Sequence, residues 1–247
     1  MFDAKEVKER IVLWIADWFR NNGPPETKAV IGISGGKDSS IAAALCAEAL
    51  GPERVFGVLL PNGEQHDIDT ARALCAALNI DHIEINIKDA VRGLYEAAED
   101  AGLQLNEAAL FNTPARIRMT ALYAVAAVSG GRVVNTCNLS EDHVGYSTKF
   151  GDSAGDFSPL SDLTVTEVKA VGRELGLADV FVDKVPADGL CGKTDEDSFG
   201  FSYETLDKYI REGVCEDAEV KARIDGMHKA SRHKLEPMPV FRLKTGK

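Results

Sequence analysis

No stretch of the 247 residues approaches the ~18 consecutive apolar positions that a membrane-spanning helix requires. Cysteine is sparse: Cys46, Cys75, Cys137, Cys191 and Cys215 are an odd number, widely spaced, with no Cys-x-x-Cys pair. That pattern argues against a structural zinc site and predicts free thiols in a reducing compartment. The opening residues, MFDAKEVKER, are charged and helical in pattern and lack the apolar centre of a signal peptide. A cytoplasmic location is expected. Positive charge is also in deficit. Lys and Arg number 28 against 39 Asp and Glu, a formal net charge of −11, and the basic residues are scattered. Long nucleic acid, whose grip depends on phosphate neutralisation, is therefore not an expected partner. Internal repeats and low-complexity linkers are missing, so a single domain over residues 1–247 is expected.

What is present is ordinary globular material, with 45% hydrophobic residues. Val7, Ile11, Trp14, Ile15, Trp18 and Phe19 recur at helical spacing over 3–21, before Gly23-Pro24-Pro25. They predict a core-facing helix or, alternatively, a subunit contact built on the two tryptophans. Residues 29–33 form a short apolar run of the buried-strand kind, and 41–50 read as a helix stopped by Gly51-Pro52. Further strands are expected at 54–60, 83–87 and 132–136. Further helices are expected at 67–78, 89–101, 166–175, 203–211 and 216–234. Thr113 as N-cap and Pro114 at the first helical position predict another helix from there to about 128. Such alternation predicts an α/β fold: an open, mainly parallel twisted sheet with helices on both faces, Rossmann-like. Residues 145–162 and 186–200, rich in Gly, Ser and Asp, read as long loops, where function concentrates.

Between the first strand and its helix stands Gly32-Ile33-Ser34-Gly35-Gly36-Lys37-Asp38-Ser39-Ser40. A glycine-rich turn in that position aims backbone N–H groups and the positive helix end at one point, a site for an anion. It is not a Walker A loop, because Asp38 follows Lys37 and Ile31 stands where the first glycine belongs. The later Gly192-Lys193-Thr194 fails likewise, with Ala187 at the first-glycine position. Nor is it a dinucleotide fingerprint, since Ser34 replaces the second glycine.

The Ser-Gly-Gly-x-Asp-Ser pattern resembles the pyrophosphate-binding loop of the ATP pyrophosphatase family, with its adenine nucleotide alpha hydrolase type of fold. Gly35 and Gly36 suit a close approach of backbone to phosphate, and Ser34, Ser39 and Ser40 supply hydroxyls. An aspartate among phosphate binders needs a cation between itself and the ligand, so Asp38 is read as a Mg²⁺ ligand; capping of the helix is the alternative.

Downstream blocks narrow the resemblance to the NAD synthetases. They are NTPARIRMTALYAVA (112–126), TCNLSE (136–141), TKFGDSAGDFSPL (148–160), KVPADGLCGKTDEDSFGFSYETLD (184–207) and SRHK (231–234). The resemblance implies a ligase that amidates deamido-NAD to NAD with ATP and ammonia, through an adenylated intermediate, releasing AMP and pyrophosphate. It implies Asp38 and Glu141 as Mg²⁺ ligands and, with Lys149, as catalytic groups. Gly32, Ile33, Ser34, Gly35, Gly36, Lys37, Asp38, Ser39, Ser40, Gln65 and Thr136 would bind ATP. Arg116, Lys149, Asp156, His233 and Lys234 would bind deamido-NAD, in a homodimer.

Departures are visible too. Val165 and Ala187 stand where many members carry an ATP-binding lysine and threonine, and Ser198 fills a substrate-binding glutamate's position. Lys193 is the expected replacement for the missing cation. A glutamine-using version would need a second catalytic domain of roughly 250 residues, so free ammonia is expected unless a separate subunit supplies it. Two rival readings remain: a tRNA-modifying adenylating enzyme, and an ATP-binding regulatory module without chemistry. The acidic balance disfavours the first. The second has no need of Glu141, Lys149 and Asp156 together.

Overall fold

The computed structural model describes residues 2–65, 68–183 and 194–243. Its sheet has four parallel strands, β1 (Ala29–Gly32), β2 (Val55–Leu59), β3 (Asp81–Glu84) and β4 (Arg132–Val133), in the order β3-β2-β1-β4. Val30 lies opposite Phe56 on one side and Val133 on the other. β1 is central and covered on both faces, which is why Ala29-Val30-Ile31 is apolar without alternation. From β1 the chain winds to β2 and β3 on one side, then crosses to β4 on the other. Such a reversal opens a crevice at the carboxyl ends of β1 and β4.

The helices are α1 (Ala4–Asn21), α2 (Lys37–Leu50), α3 (Ile68–Ala77), α4 (Lys88–Asp100), α5 (Glu107–Ser129) and α6 (Leu139–Val144). They continue as α7 (Val165–Glu174), α8 (Asp179–Val182), α9 (Asp195–Phe199), α10 (Tyr203–Glu212) and α11 (Ala218–Leu235). Ile31 faces a core built with Ile15, Phe19, Ile41, Leu45, Leu74 and Val168 from α1, α2, α3 and α7. Val30 faces the other way, toward Val91 of α4 and Ala126 of α5. The expected two-faced α/β arrangement is therefore what forms. A third cluster, centred on Phe199, Leu206 and Ile224, joins α9, α10 and α11. No described helix is long and apolar enough to cross a membrane.

The α1 tryptophans are mostly inward-facing. Trp18 stacks on Phe157 with ring centroids 4.6 Å apart, and Trp14 tilts toward the same ring at 6.1 Å while remaining 44% exposed.

Several boundaries differ from expectation, and Asp195–Phe199, within the expected 186–200 loop, is a short helix capped at both its Thr194 hydroxyl and its Asp197 carboxylate. α5 starts at Glu107, capped by Asn106, whose Oδ1 accepts from Ala109 N at 3.0 Å; Thr113 is not its cap. Pro114 therefore sits inside the helix, where its missing N–H leaves the Leu110 carbonyl without an intrahelical donor. Tyr95 of α4 fills the gap, its hydroxyl donating to Leu110 O at 2.9 Å. β3 begins two residues before the expected 83. β4 is only two residues long, because past it the chain turns to pair with the 145–162 loop: Asn135 N donates to Phe157 O, and Asp156 N to Val133 O.

Candidate active site

The glycine loop occupies the crevice end of β1. Ile33 N still donates to Val58 O at 2.9 Å, which carries the sheet one residue further. Gly35 then adopts φ +79°, and a Cβ there would lie 3.2 Å from Ala71 N, so both conformation and space favour glycine. α2 begins at Lys37, not at residue 41. Gly36 is its N-cap, and the hydroxyls of Ser39 and Ser40 donate back to Gly36 O at 3.1 and 2.7 Å. The second half of the motif is thus the first helical turn, which brings the positive end of α2 into the loop. Ser34 Oγ accepts from Gly36 N at 3.2 Å and lies 3.1 Å from Ser39 Oγ. Gln65 Nε2 reaches Ser34 O at 3.5 Å, beside the loop.

Asp38 does not cap the helix. Its two oxygens accept from Lys37 Nζ at 2.8 Å and from Asn138 Nδ2 at 3.1 Å. Glu141 reaches the same ammonium from α6, with Oε1 3.5 Å from Lys37 Nζ. The β1–β4 adjacency causes this convergence: each strand delivers a helix start to the crevice, Asp38 on one and Glu141 on the other. Thr136, half-buried, stands between β4 and α6 on this path.

Asn138 ties the two together. It is fully buried and caps α6, its Oδ1 accepting from Glu141 N at 3.1 Å, while its amide nitrogen holds Asp38. Beneath them Tyr203 presents its ring 5.6 Å from Lys37 Nζ, and its hydroxyl donates to the buried Asp195 at 2.9 Å.

Burial first, and the neighbouring Asp38 second, push the Glu141 carboxyl up to about 8. Burial opposes charge on Lys37, but Asp38 and Glu141 outweigh it and hold the ammonium protonated. The Tyr203 hydroxyl is raised far above its ordinary range by burial and by Glu141 and Asp195, so it acts as a fixed donor.

Among the described residues no cluster of three or more His, Cys, Asp or Glu side chains could hold a metal. Two hard carboxylates converging on one cation suit magnesium, which takes few protein ligands and completes its shell with phosphate and water. A cation, the Lys37 ammonium, already lies within 3.5 Å of both. The donor set fits, with Asp38 and Glu141 as the residues that would hold the ion.

Of the expected acceptor-binding residues, Arg116, Lys149 and Lys234 gather where the 145–162 loop meets α11, whereas the His233 imidazole is exposed with its Nδ1 3.1 Å from Ala230 O. Lys149 Nζ donates to the His233 carbonyl, and Arg116 Nε to the Lys149 carbonyl at 3.3 Å. Lys234 Nζ donates to the carbonyls of Gly145 and Ser147 at 2.7 and 2.9 Å. Asp156 accepts from Val133 N at 2.7 Å, and so also secures β4. Asp156 and Lys234 line one cleft of about 400 Å³ with Asp142, Ser158 and Ser161.

Lys193 and Ala187 lie outside the described residues. Val165 is buried in the third apolar cluster. Ser198 is exposed, its hydroxyl donating to Thr194 O.

Asn138, Asp195 and Tyr203 escaped the sequence reading. Asn138 had a signal, a cap residue three positions before an acid at a helix start. Asp195 and Tyr203 lie in the 184–207 block that carries the resemblance, but nothing in it marks either one individually.

A glycine turn at the switch point of a parallel sheet, with a helix end and two acids aimed into it, defines a nucleotide-binding α/β protein of the pyrophosphate-loop kind. The comparisons place it further. The family model described as NAD synthase matches residues 7–238, and the chain belongs to that family. The NH3-dependent NAD+ synthetase of Thermococcus kodakarensis is 38% identical over 219 residues, covering 83% of this chain and 85% of its own. The solved structure of NMN synthetase from Francisella tularensis matches with TM-score 0.89 at 33% identity, covering 98% of this chain and 100% of that one. An NH3-dependent NAD synthetase from Campylobacter jejuni matches with TM-score 0.79 at 28% identity, over 98% and 100%.

Proposed function

We propose that this chain is a ligase that amidates deamido-NAD to NAD, using ATP and free ammonia. The observation that carries the proposal is the meeting of Asp38 and Glu141 on one cation beside the glycine loop, in a chain of the NAD synthase family.

The energetic problem is charge, since a carboxylate must approach a triphosphate. The N–H groups around Gly35 and Gly36, the hydroxyls of Ser34 and Ser39 and the amino end of α2 receive the phosphates and stabilise the leaving pyrophosphate. Ile33 anchors the loop in the apolar core, and Gln65 borders it. A carboxylate oxygen of the nicotinate attacks the α-phosphorus, and the bond to the β-phosphate oxygen breaks. Ammonia then attacks the acyl carbon, AMP leaves with the carbon–oxygen electron pair, and the nitrogen loses a proton. Magnesium held by Asp38 and Glu141 would neutralise phosphate charge during the first step. Arg116, Lys149, Asp156, His233 and Lys234 orient the acceptor's phosphates and ribose. Helix contacts that run from α1 and α2 through α7 to α10 support one folding unit for these parts. The pairing is proposed to be homodimeric, supported by exposed Leu94, Leu103, Leu110, Phe111 and Val128 on α4, α5 and the turn between them.

The test is purified protein with Mg²⁺-ATP, ammonium and deamido-NAD. One AMP and one pyrophosphate should form per NAD; no amide product from any nicotinate nucleotide would overturn the reading.

A second acceptor is favoured by one observation. The Francisella tularensis neighbour is named an NMN synthetase and superposes at 0.89, against 0.79 for the Campylobacter jejuni NAD synthetase. Nicotinate mononucleotide, which lacks the adenylyl half, is the corresponding substrate. The ratio of kcat/KM for the two acceptors decides between them.

A further inference from the structure

Lys37 is the feature that the proposed chemistry leaves unexplained. It is the first residue of α2, is 2% exposed, and its amine lies against two carboxylates. Lysine is almost never fully buried unless paired. Here Asp38 and Glu141 pair it, and the Tyr203 ring closes the site on a further side. Asp195, bonded to the Tyr203 hydroxyl, adds a third buried acid. Two acids meet the one ammonium directly, and the third stands behind the Tyr203 ring.

On the reading that Asp38 and Glu141 are the metal ligands, we infer that Lys37 is a tethered counter-cation. It occupies the space between those carboxylates until a divalent ion displaces it. A divalent ion bound to both carboxylates would sit beside the ammonium, and two cations at such a distance repel strongly in a desolvated site. The amine must therefore swing out on its four-carbon stem. The glycine loop is the adjacent place for it, and that place is favourable only when phosphate fills it. Metal and nucleotide then assist one another: each removes an obstacle to the other's binding, and the coupling is reciprocal. Metal alone binds weakly because it exiles a lysine into a site with no anion.

The experiment measures Mn²⁺ binding by electron paramagnetic resonance, without nucleotide, in wild type and Lys37→Met. The variant should bind Mn²⁺ at least about tenfold tighter. Equal or weaker binding overturns the inference. Adding Glu141→Gln to Lys37→Met separates the two layers. Tight binding that this change abolishes supports both, whereas binding indifferent to it removes the metal assignment and the inference with it.

Wild-type protein supplies a readout that does not depend on the variant folding. Acetylation of Lys37, followed by peptide mass spectrometry, should rise several-fold on saturation with Mn²⁺ alone, relative to Lys28 and Lys88. Unchanged or reduced labelling contradicts displacement.

Discussion

The side-chain amide of Asn138 joins Asp38 to the helix that carries Glu141. Its nitrogen donates to Asp38 Oδ1 at 3.1 Å and its oxygen caps α6 at Glu141 N, also at 3.1 Å. Two acids on helices that follow neighbouring strands are thereby fixed to each other through one buried side chain. Asn138→Ala removes both bonds and is expected to cost about 2 kcal/mol of stability. It should also lower kcat by about tenfold or more, because the acids lose their common support. Asn138→Ser keeps a capping oxygen but has no amide to hold Asp38. Thermal melting should show its stability largely recovered while turnover stays low. Full turnover in the serine variant would mean that the Asn138–Asp38 bond is dispensable.

Lys234 fastens α11 to the start of the 145–162 loop through the carbonyls of Gly145 and Ser147. Lys234→Met preserves the aliphatic stem and deletes both bonds. The KM for the acceptor should rise about tenfold, with the KM for ATP changed much less, since the glycine loop is built elsewhere. A selective rise in the ATP KM would reverse the division of the site drawn here.

Leu110 and Val128 lie on one side of α5, five turns apart, and are 44% and 92% exposed. If α5 lies in the proposed dimer contact, Leu110→Asp with Val128→Asp should convert the dimer to a monomer in light scattering, with the melting temperature barely lowered. Charged side chains at the centre of an apolar interface abolish its driving force. A dimer that survives both changes places the contact on another face.

Burial pushes the Cys46 thiol up to about 12 and the Cys75 thiol up to about 11, and it raises Cys137 as well, helped by Asp142. Thiolate is the reactive form, so native protein treated with iodoacetamide at mildly alkaline pH should modify Cys215 about tenfold faster than these three. Rapid alkylation of Cys137 would show that the segment between β4 and α6 opens readily.

Much of this molecule is written in short-range patterns. Val30 and Ile31, neighbours in sequence, feed opposite apolar layers, and that is what a central parallel strand demands of an uninterrupted apolar run. The glycine loop and Asp38 are readable because their residue types answer a local chemical need, whereas Glu141 is marked only by the resemblance to the NAD synthetases. The misread boundaries come from partners distant in sequence. Pro114 is tolerated inside α5 only because Tyr95, on another helix, supplies the hydrogen bond that its backbone withholds. β4 stops early because the 145–162 loop takes over its pairing. Lys37 reads as one more phosphate-loop residue, and its turn toward the acids becomes visible only when Glu141 and Tyr203 are placed in space. Tyr203 and Asp195 owe their place to α9 and α10 folding over the loop, which no local pattern encodes.

Asp156 pairs with Val133 through both its backbone N–H and its carboxylate, on the outward side of the last strand. An unpaired strand margin is a template for another chain to add onto, and proteins that leave one bare tend to stick to themselves. The residue proposed to meet the acceptor is therefore also the guard of that margin. Any motion that swung this loop fully outward would break both bonds and uncover an adhesive edge.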